Sequence, residues 1–290
     1  MAGYKGSRIN PAHFHKDQIP IYIILLPLAI FMLFPLVFIF CHAFKPMSEL
    51  FKFPPSFLVY RPTWDNFRNL FRSARNSSIP IGRYIFNTVI VTIIVIVGNV
   101  VISTMAGFAL SKLKFKLRGF IFQVNQSALM FVATAVQIPR YLIVSNIGVT
   151  DTYFAHILPL LATPVTLFLI KQFIDDVPDS LIEAAYVDGA TPFKVYRSII
   201  LPLIKPAIAT GIILSFQQVW GYIESSNLYT NTESMKLLVF YMNTLANANN
   251  GVQGQGVAAA AALILFVPNL IIFLFLQKDV MNTMAHSGIK

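Results

Sequence analysis

The sequence holds one cysteine, Cys41, which excludes a disulfide within the chain and a metal site built on paired thiolates. Charge is also scarce: Asp, Glu, Lys and Arg make up 12% of residues, where soluble domains carry about 25%. Acidic groups are the rarer kind, 12 against 22 basic ones. No G-x-x-x-x-G-K-[S/T] segment occurs, so the chain has no phosphate-cradling loop of that type and is not expected to hydrolyse ATP itself. No basic domain stands outside the loops, which argues against nucleic acid as a partner. No apolar run offers a nucleophile beside a base, which argues against an intramembrane hydrolase.

What remains is apolar. Of the 290 residues, 56% are hydrophobic, and they are gathered into runs of about 20, the length a hydrocarbon core of about 30 Å requires. The sequence predicts an all-α polytopic membrane protein of about six transmembrane helices, a single transmembrane domain over residues 1–290. Spans are expected at Ile19 to Phe44, Tyr84 to Leu110, Phe120 to Pro139, Thr152 to Ile170, Ala207 to Trp220 and Val257 to Leu276. The first run is too long for a signal-peptide core of about 7–15 residues and no small-residue cleavage site follows it, so it reads as a retained span.

Six spans place both termini on one side. With the polar tail 1–18 (Lys5, Arg8, Lys16) in the cytoplasm, 13 Lys and Arg fall inside and 9 outside, in the sense of the positive-inside rule. The short loop with Lys112, Lys114, Lys116 and Arg118 follows that rule best, and suits anchoring beside anionic lipid. Residues 45–83, rich in Pro and aromatic groups, form an outer loop of ordered turns, and the polar stretch Asn247 to Gly256 a second. Inside the predicted spans there is no Asp, Glu, Lys or Arg, whereas ion-coupled carriers usually need an intramembrane ionisable group.

Residues 171–206 form a cytoplasmic loop whose core reads VPDSLIEAAYVDGATPFKVYRSIILPLIKP, from Val177 to Pro206. Asp179 and Ser180 suit a helix start, with Leu181, Ala184, Ala185 and Asp188 sharing helical spacing. Gly189 supplies a reversal, since glycine reaches positive φ without steric cost. Thr191 then Pro192 suit an N-cap and first position, with Phe193, Tyr196, Ile199 and Ile200 as the next apolar face. Pro202 and Pro206 end that helix.

The run Glu183-Ala184-Ala185, then Gly189, then Ile199-x-Leu201-Pro202 resembles the EAA loop of ABC-type importer permeases, and Asp188-Gly189-Ala190 resembles its carbohydrate-importer form. The stretches Ala106 to Gly119, Gln137 to Pro159, Phe168 to Leu181 and Met284 to Lys290 are similar to those of the maltose-type permease group. The resemblance implies a permease subunit of a binding-protein-dependent importer for sugars, oligosaccharides in particular. The loop would dock on a motor subunit through Glu183, Ala184, Ala185, Asp188, Gly189 and Ala190. It further implies a second homologous permease, two ATPase subunits that hold ATP and magnesium, an extracytoplasmic sugar-binding protein, and a bacterial inner membrane. The chain itself would carry no cofactor. A non-sugar solute such as a phosphorylated polyol is the alternative of the same architecture, and an ion-coupled carrier the alternative of another class.

Neutral polar groups within or beside the spans are candidates for the substrate path: Gln123, Asn125, Gln126, Gln137, Gln217, Gln218 and Trp220. Amides and aromatic faces suit a polyhydroxylated solute, though Asn and Gln also tie helices together in lipid. The family's Trp-Asn pair stands here as Trp220-Gly221, followed by Tyr222, Glu224 and Asn227. His13 and His15 read as solvated tail residues and His42 and His156 as packing or interfacial groups, not as metal ligands.

Overall fold

The structure is a computed structural model and describes residues 18–54, 56–75, 78–248 and 251–287. The basic tail with its Lys5, Arg8, Lys16, His13 and His15, and the last residues of the C-terminal motif, lie outside them. Every described element is helical: α1 (Ile19–Phe44), α2 (Met47–Leu50), α3 (Asp65–Arg75), α4 (Ile81–Lys112), α5 (Arg118–Ala128), α6 (Gln137–Asn146), α7 (Tyr153–Leu161), α8 (Pro164–Asp175), α9 (Asp179–Val187), α10 (Pro192–Val195), α11 (Leu201–Leu203), α12 (Lys205–Trp220), α13 (Leu238–Ala248) and α14 (Val252–Ser287). Wider π-type turns occupy Tyr196–Ile200 and Ser225–Tyr229, and a tight 3₁₀ turn Glu233–Met235.

Among the described residues four helical stretches are long and apolar enough to cross a membrane, namely Ile19–Phe44, Ile81–Lys112, Tyr153–Asp175 and Gly254–Gln277. Pro192–Leu203 and Lys205–Trp220 make a fifth if joined across their 80° bend. The count of six is therefore not confirmed among the described residues, and the third predicted span needs correction. The predicted third span, Phe120 to Pro139, is split into α5 and α6 by residues 129–136. There the backbone closes on i−3 carbonyls, with Met130 N to Ser127 O at 3.1 Å and Ala135 N to Val132 O at 3.0 Å. In an unbroken helix Pro139 would clash with the Ala135 carbonyl and leave it without a donor; with the helix restarting at Gln137, Pro139 falls in the first turn, where no donor is needed. The predicted fifth span, Ala207 to Trp220, lies within the 16-residue α12, with Pro206 in the first turn of that helix, and α12 counts as a membrane crossing only together with the helix before the bend. Among the other spans, Lys171 and Asp175 extend the fourth past its predicted end and pair with each other.

The residues fall into two compact units, 1–72 with 245–263, and 73–244 with 264–290. In the first, α1 is apolar on every side and none of its most apolar window is buried. Its C-terminal carbonyls find a donor in the Asn66 amide, which reaches His42 O at 3.3 Å, Ala43 O at 3.0 Å and Lys45 O at 2.8 Å. Glu49 accepts the backbone N–H groups of Tyr60 at 3.1 Å and Arg61 at 2.9 Å, and the buried Lys45 ammonium donates to Ser56 O. Residues 45–72 are thus a cross-braced segment. A Cβ on Gly256 would stand 2.5 Å from Asn66 Oδ1, so only glycine admits α14 beside that amide.

In the second unit α4 is the central post. Gly107 lets α8 approach, since a Cβ there would meet Ile170 Cγ2 and Ile174 Cδ1 at 3.2 Å, a small-residue contact of the kind that holds helices together in lipid. Asn99, fully buried, donates to Leu161 O at 3.1 Å and Thr163 Oγ1 at 2.8 Å and accepts from Ser215 Oγ at 2.9 Å. The break between α7 and α8, imposed by Pro164, is thereby satisfied from α4 rather than left open to lipid.

Candidate functional site

The loop that resembles the EAA segment folds as a helical hairpin over its own apolar floor. Ile182 of α9 is buried with Ile170, Ile174, Val177, Val195, Ile200 and Ile204, and Ala185 packs half-buried against them. α9 begins at Asp179, but no side chain caps it. The Asp179 carboxylate instead meets the Lys112 ammonium at 2.7 Å, and the same ammonium donates to Val177 O at 2.7 Å. The hydrogen bond and charge of Lys112 hold the Asp179 carboxyl below the usual carboxylate range. Ser111 donates to Asp175, so two successive residues at the end of α4 clamp the root of the hairpin.

Gly189 turns the chain with φ +77°. Its N–H donates to Tyr186 O at 3.0 Å and that of Ala190 to Ala185 O at 2.9 Å, the paired bonds that close a helix C-terminus on a left-handed residue. Thr191 then caps α10 by accepting Lys194 N at 3.3 Å, with Pro192 in the first turn. Of the apolar face expected next, Tyr196 and Ile200 are buried, whereas Phe193 is exposed. The outer surface of α9 carries Leu181, Tyr186 and the 88% exposed Val187 around Glu183, Ala184 and Asp188. The Glu183 carboxylate makes no hydrogen bond or ion pair with any described residue.

The candidate path residues are dispersed. Gln123 and Gln126 are exposed on α5, while Asn125 donates to Pro164 O at 3.2 Å and so ties α5 to α8. Gln217 and Gln218 are exposed on α12. Trp220 is buried against Phe216, ring centroids 5.2 Å apart, and its indole donates to Leu265 O at 3.0 Å. Gln137 lines a cleft of about 370 Å³, together with Ile138, Tyr141, Asn227 and Leu228.

Beside this cleft Arg140 Nη1 lies 3.6 Å from Glu224 Oε1 and 3.5 Å from the Tyr222 hydroxyl. Tyr229 donates to Glu224 Oε1 at 2.7 Å and its ring lies 6.2 Å from that of Tyr141. Burial pushes the phenols of Tyr222 and Tyr229 up, and for Tyr229 the bond to Glu224 adds to it, so both remain neutral. Arg140, Tyr141 and Leu228 were not singled out from sequence. Their signal is the spacing of Gln137, Arg140 and Tyr141, at i, i+3 and i+4 on one helix face. Among the described residues no three His, Cys, Asp or Glu side chains gather as a metal-ligand set.

Comparison with known proteins places this geometry. The profile of the family described as binding-protein-dependent transport system inner membrane component matches residues 19–278. The sn-glycerol-3-phosphate transport system permease protein UgpE of Yersinia enterocolitica is 26% identical over 247 residues, covering 85% of this chain and 88% of its own. The protein of that name from Brucella melitensis is 26% identical over 247 residues, 84% and 88% of the two chains. Among solved structures, a chain of a bacterial ABC transporter involved in import of the acidic polysaccharide alginate superposes with a TM-score of 0.75 at 20% identity, covering 93% of this chain and 99% of that one. A chain of a bacterial alginate ABC transporter in complex with alginate pentasaccharide-bound periplasmic protein gives 0.59 at 18% identity, covering 90% and 93%.

Proposed function

This chain belongs to the family of binding-protein-dependent transport system inner membrane components, and on that premise we propose that it converts closure of separate ATPase subunits into passage of sugars, oligosaccharides in particular, across a bacterial inner membrane. As a member it is a membrane permease component of an ABC importer. The motor subunits, which hold ATP and magnesium, are other polypeptides, as are a second homologous permease and the extracytoplasmic binding protein. Both termini lie in the cytoplasm, residues 1–18 as a tail, with 45–83 outside and 171–206 as the coupling loop.

The observation that carries this reading is the α9 hairpin. Its inner face rests on a packed floor and its root is clamped to α4 by Lys112, while its outer face presents Leu181, Tyr186 and Val187 with an unpaired Glu183. Such a surface suits a groove with a basic group at its rim, and the small, exposed Ala184 permits close approach, while Ala185 packs against the floor beneath. Force applied to α9, Asp188, Gly189 and Ala190 reaches α4 and α8 directly, as a rigid-body mechanism of alternating access requires. The unwound residues 129–136 suit the solute route, since non-helical backbone at membrane depth is tolerated where it lines a water-filled path or is covered by protein. Gln123, Asn125, Gln126, Gln137, Gln217, Gln218 and Trp220 are the path residues of this reading, and Gln137 has the best placement. A second reading, import of a phosphorylated polyol, is favoured by the names of the relatives.

The test is ATP-dependent uptake of labelled saccharides and polyol phosphates into vesicles holding all four components. Uptake that needs every component and is lost in Glu183→Lys supports the proposal. An assembled, ATPase-active complex that takes up nothing from the panel overturns it.

A further inference from the structure

Arg140 is the cation closest in sequence to the cleft residues Gln137 and Tyr141, and its side chain is 28% exposed. Both of its polar contacts use one nitrogen, Nη1, at 3.5 and 3.6 Å, at or beyond the outer limit of a hydrogen bond. Nε and Nη2 donate to no described residue. A guanidinium offers five donors in a fixed fork that fits a planar or tetrahedral oxyanion, and most of that fork is unused. Glu224 does not consume it. Its Oε1 takes a bond of 2.7 Å from Tyr229, shorter than its approach to Arg140, so the carboxylate orients the guanidinium without closing over it.

The neighbours complete a site for a hydroxylated anion. Gln137 and Asn227 both line the cleft and offer donors and acceptors, and Tyr141 lines it with an aromatic ring. Gln137, Arg140 and Tyr141 share one face of α6, while Glu224, Asn227 and Leu228 come from the segment after α12. We propose that this cleft is an oxyanion subsite on the solute route, in which the free edge of Arg140 takes a carboxylate or phosphate group of a passing polyhydroxylated solute while Gln137, Asn227 and Tyr141 hold its hydroxyl groups and ring. The partly compensated charge is part of the design: a transporter site must bind well enough to admit its solute and weakly enough to release it, and Glu224 keeps Arg140 from holding an anion tightly. This deepens the importer reading given above and rests on it.

The four-component vesicles test it with three classes of solute: a neutral oligosaccharide, a uronate oligosaccharide and a polyol phosphate. The readout is the ratio of anionic to neutral uptake, with copurification of all components as the check on assembly. Arg140→Gln is expected to lower that ratio about tenfold or more, the size that a lost charge-assisted contact gives, and Arg140→Lys to recover part of it. Glu224→Gln, which keeps the Tyr229 contact and frees Arg140, is expected to lower the KM for the anionic class. Which anionic arm responds tells carboxylate from phosphate. Equal loss of neutral and anionic uptake in Arg140→Gln, a raised anionic KM in Glu224→Gln, or wild-type uptake confined to the neutral solute would each overturn the subsite while leaving the importer standing. Absence of all uptake in an assembled, ATPase-active wild type would overturn the importer reading and this one with it.

Discussion

Replacing Gly189 tests the coupling hairpin at the point where its geometry is most constrained. The residue sits at φ +77° and a Cβ built on it meets nothing within 4 Å, so Gly189→Ala adds no clash and its whole cost is the left-handed backbone, about 1–2 kcal/mol. Gly189→Asn costs less, because Asn tolerates that conformation. Gly189→Pro cannot adopt it at all, with φ locked near about −65°, and also deletes the N–H that donates to Tyr186 O at 3.0 Å. The hairpin must then re-form around a different turn. Since about 1.4 kcal/mol is tenfold in an equilibrium, Ala is expected to lower ATP-dependent uptake by up to about thirtyfold, Asn by less, and Pro to abolish it. Membrane insertion, followed by protease protection of the loops, should be normal in all three. Normal uptake in Gly189→Pro, or a greater loss in Ala than in Pro, would refute the argument that this turn presents the docking helix.

The junction of α4 and α8 offers a second check. Gly107→Ala gains about 1 kcal/mol of helix propensity but overpacks Ile170 and Ile174 at 3.2 Å, a cost of about 1–3 kcal/mol. Its thermal midpoint in detergent should therefore fall by a few degrees at most, whereas Gly107→Leu should not yield a folded chain. Lys112→Met strips Asp179 and Val177 O of their shared donor, so the number of solute molecules moved per ATP should drop while ATPase activity persists; an unchanged ratio would show that this clamp transmits nothing. Asp151, at φ 59°, accepts Thr232 N at 2.7 Å and the Thr232 hydroxyl at 2.6 Å, and these bonds hold its carboxyl below the ordinary value of 3.8. A depressed carboxyl contributes fully above its unfolded value and loses the contribution as pH falls through the folded one. The midpoint gap between wild type and Asp151→Asn should thus be open above about pH 5 and close below the ordinary carboxyl value; a gap that widens on acidification would contradict the assignment.

The parts of the fold legible in the sequence are those governed by nearest neighbours along the chain. The apolar run Ile19 to Phe44 is a helix over those same residues, and the second and last spans lie within α4 and α14, because a continuous apolar run in a bilayer has few alternatives to helix. The turn at Gly189 and the cap at Thr191 were readable from local backbone chemistry for the same reason. The third predicted span fails just ahead of Pro139, where the helix breaks although the apolar run continues, whereas the fifth lies within α12 because it begins after Pro206. The Arg140 and Glu224 pair, the Asn99 node and the burial of Trp220 depend on partners remote in sequence. Periodicity is blind to such pairings, so the polar residues chosen from the spans were a fair sample of amides but not a map of which ones meet.

The α9 hairpin divides its labour between two sets of atoms. Its shape rests on backbone bonds around Gly189 and on the inward residues Ile182 and Ala185, while what it shows to a neighbour is the outward set Leu181, Glu183, Tyr186 and Val187. Replacing the outward set leaves the frame intact. A lineage could therefore retune which motor the hairpin accepts, or share one motor among several permeases, by surface substitutions alone, and never have to rebuild the lever that the motor moves.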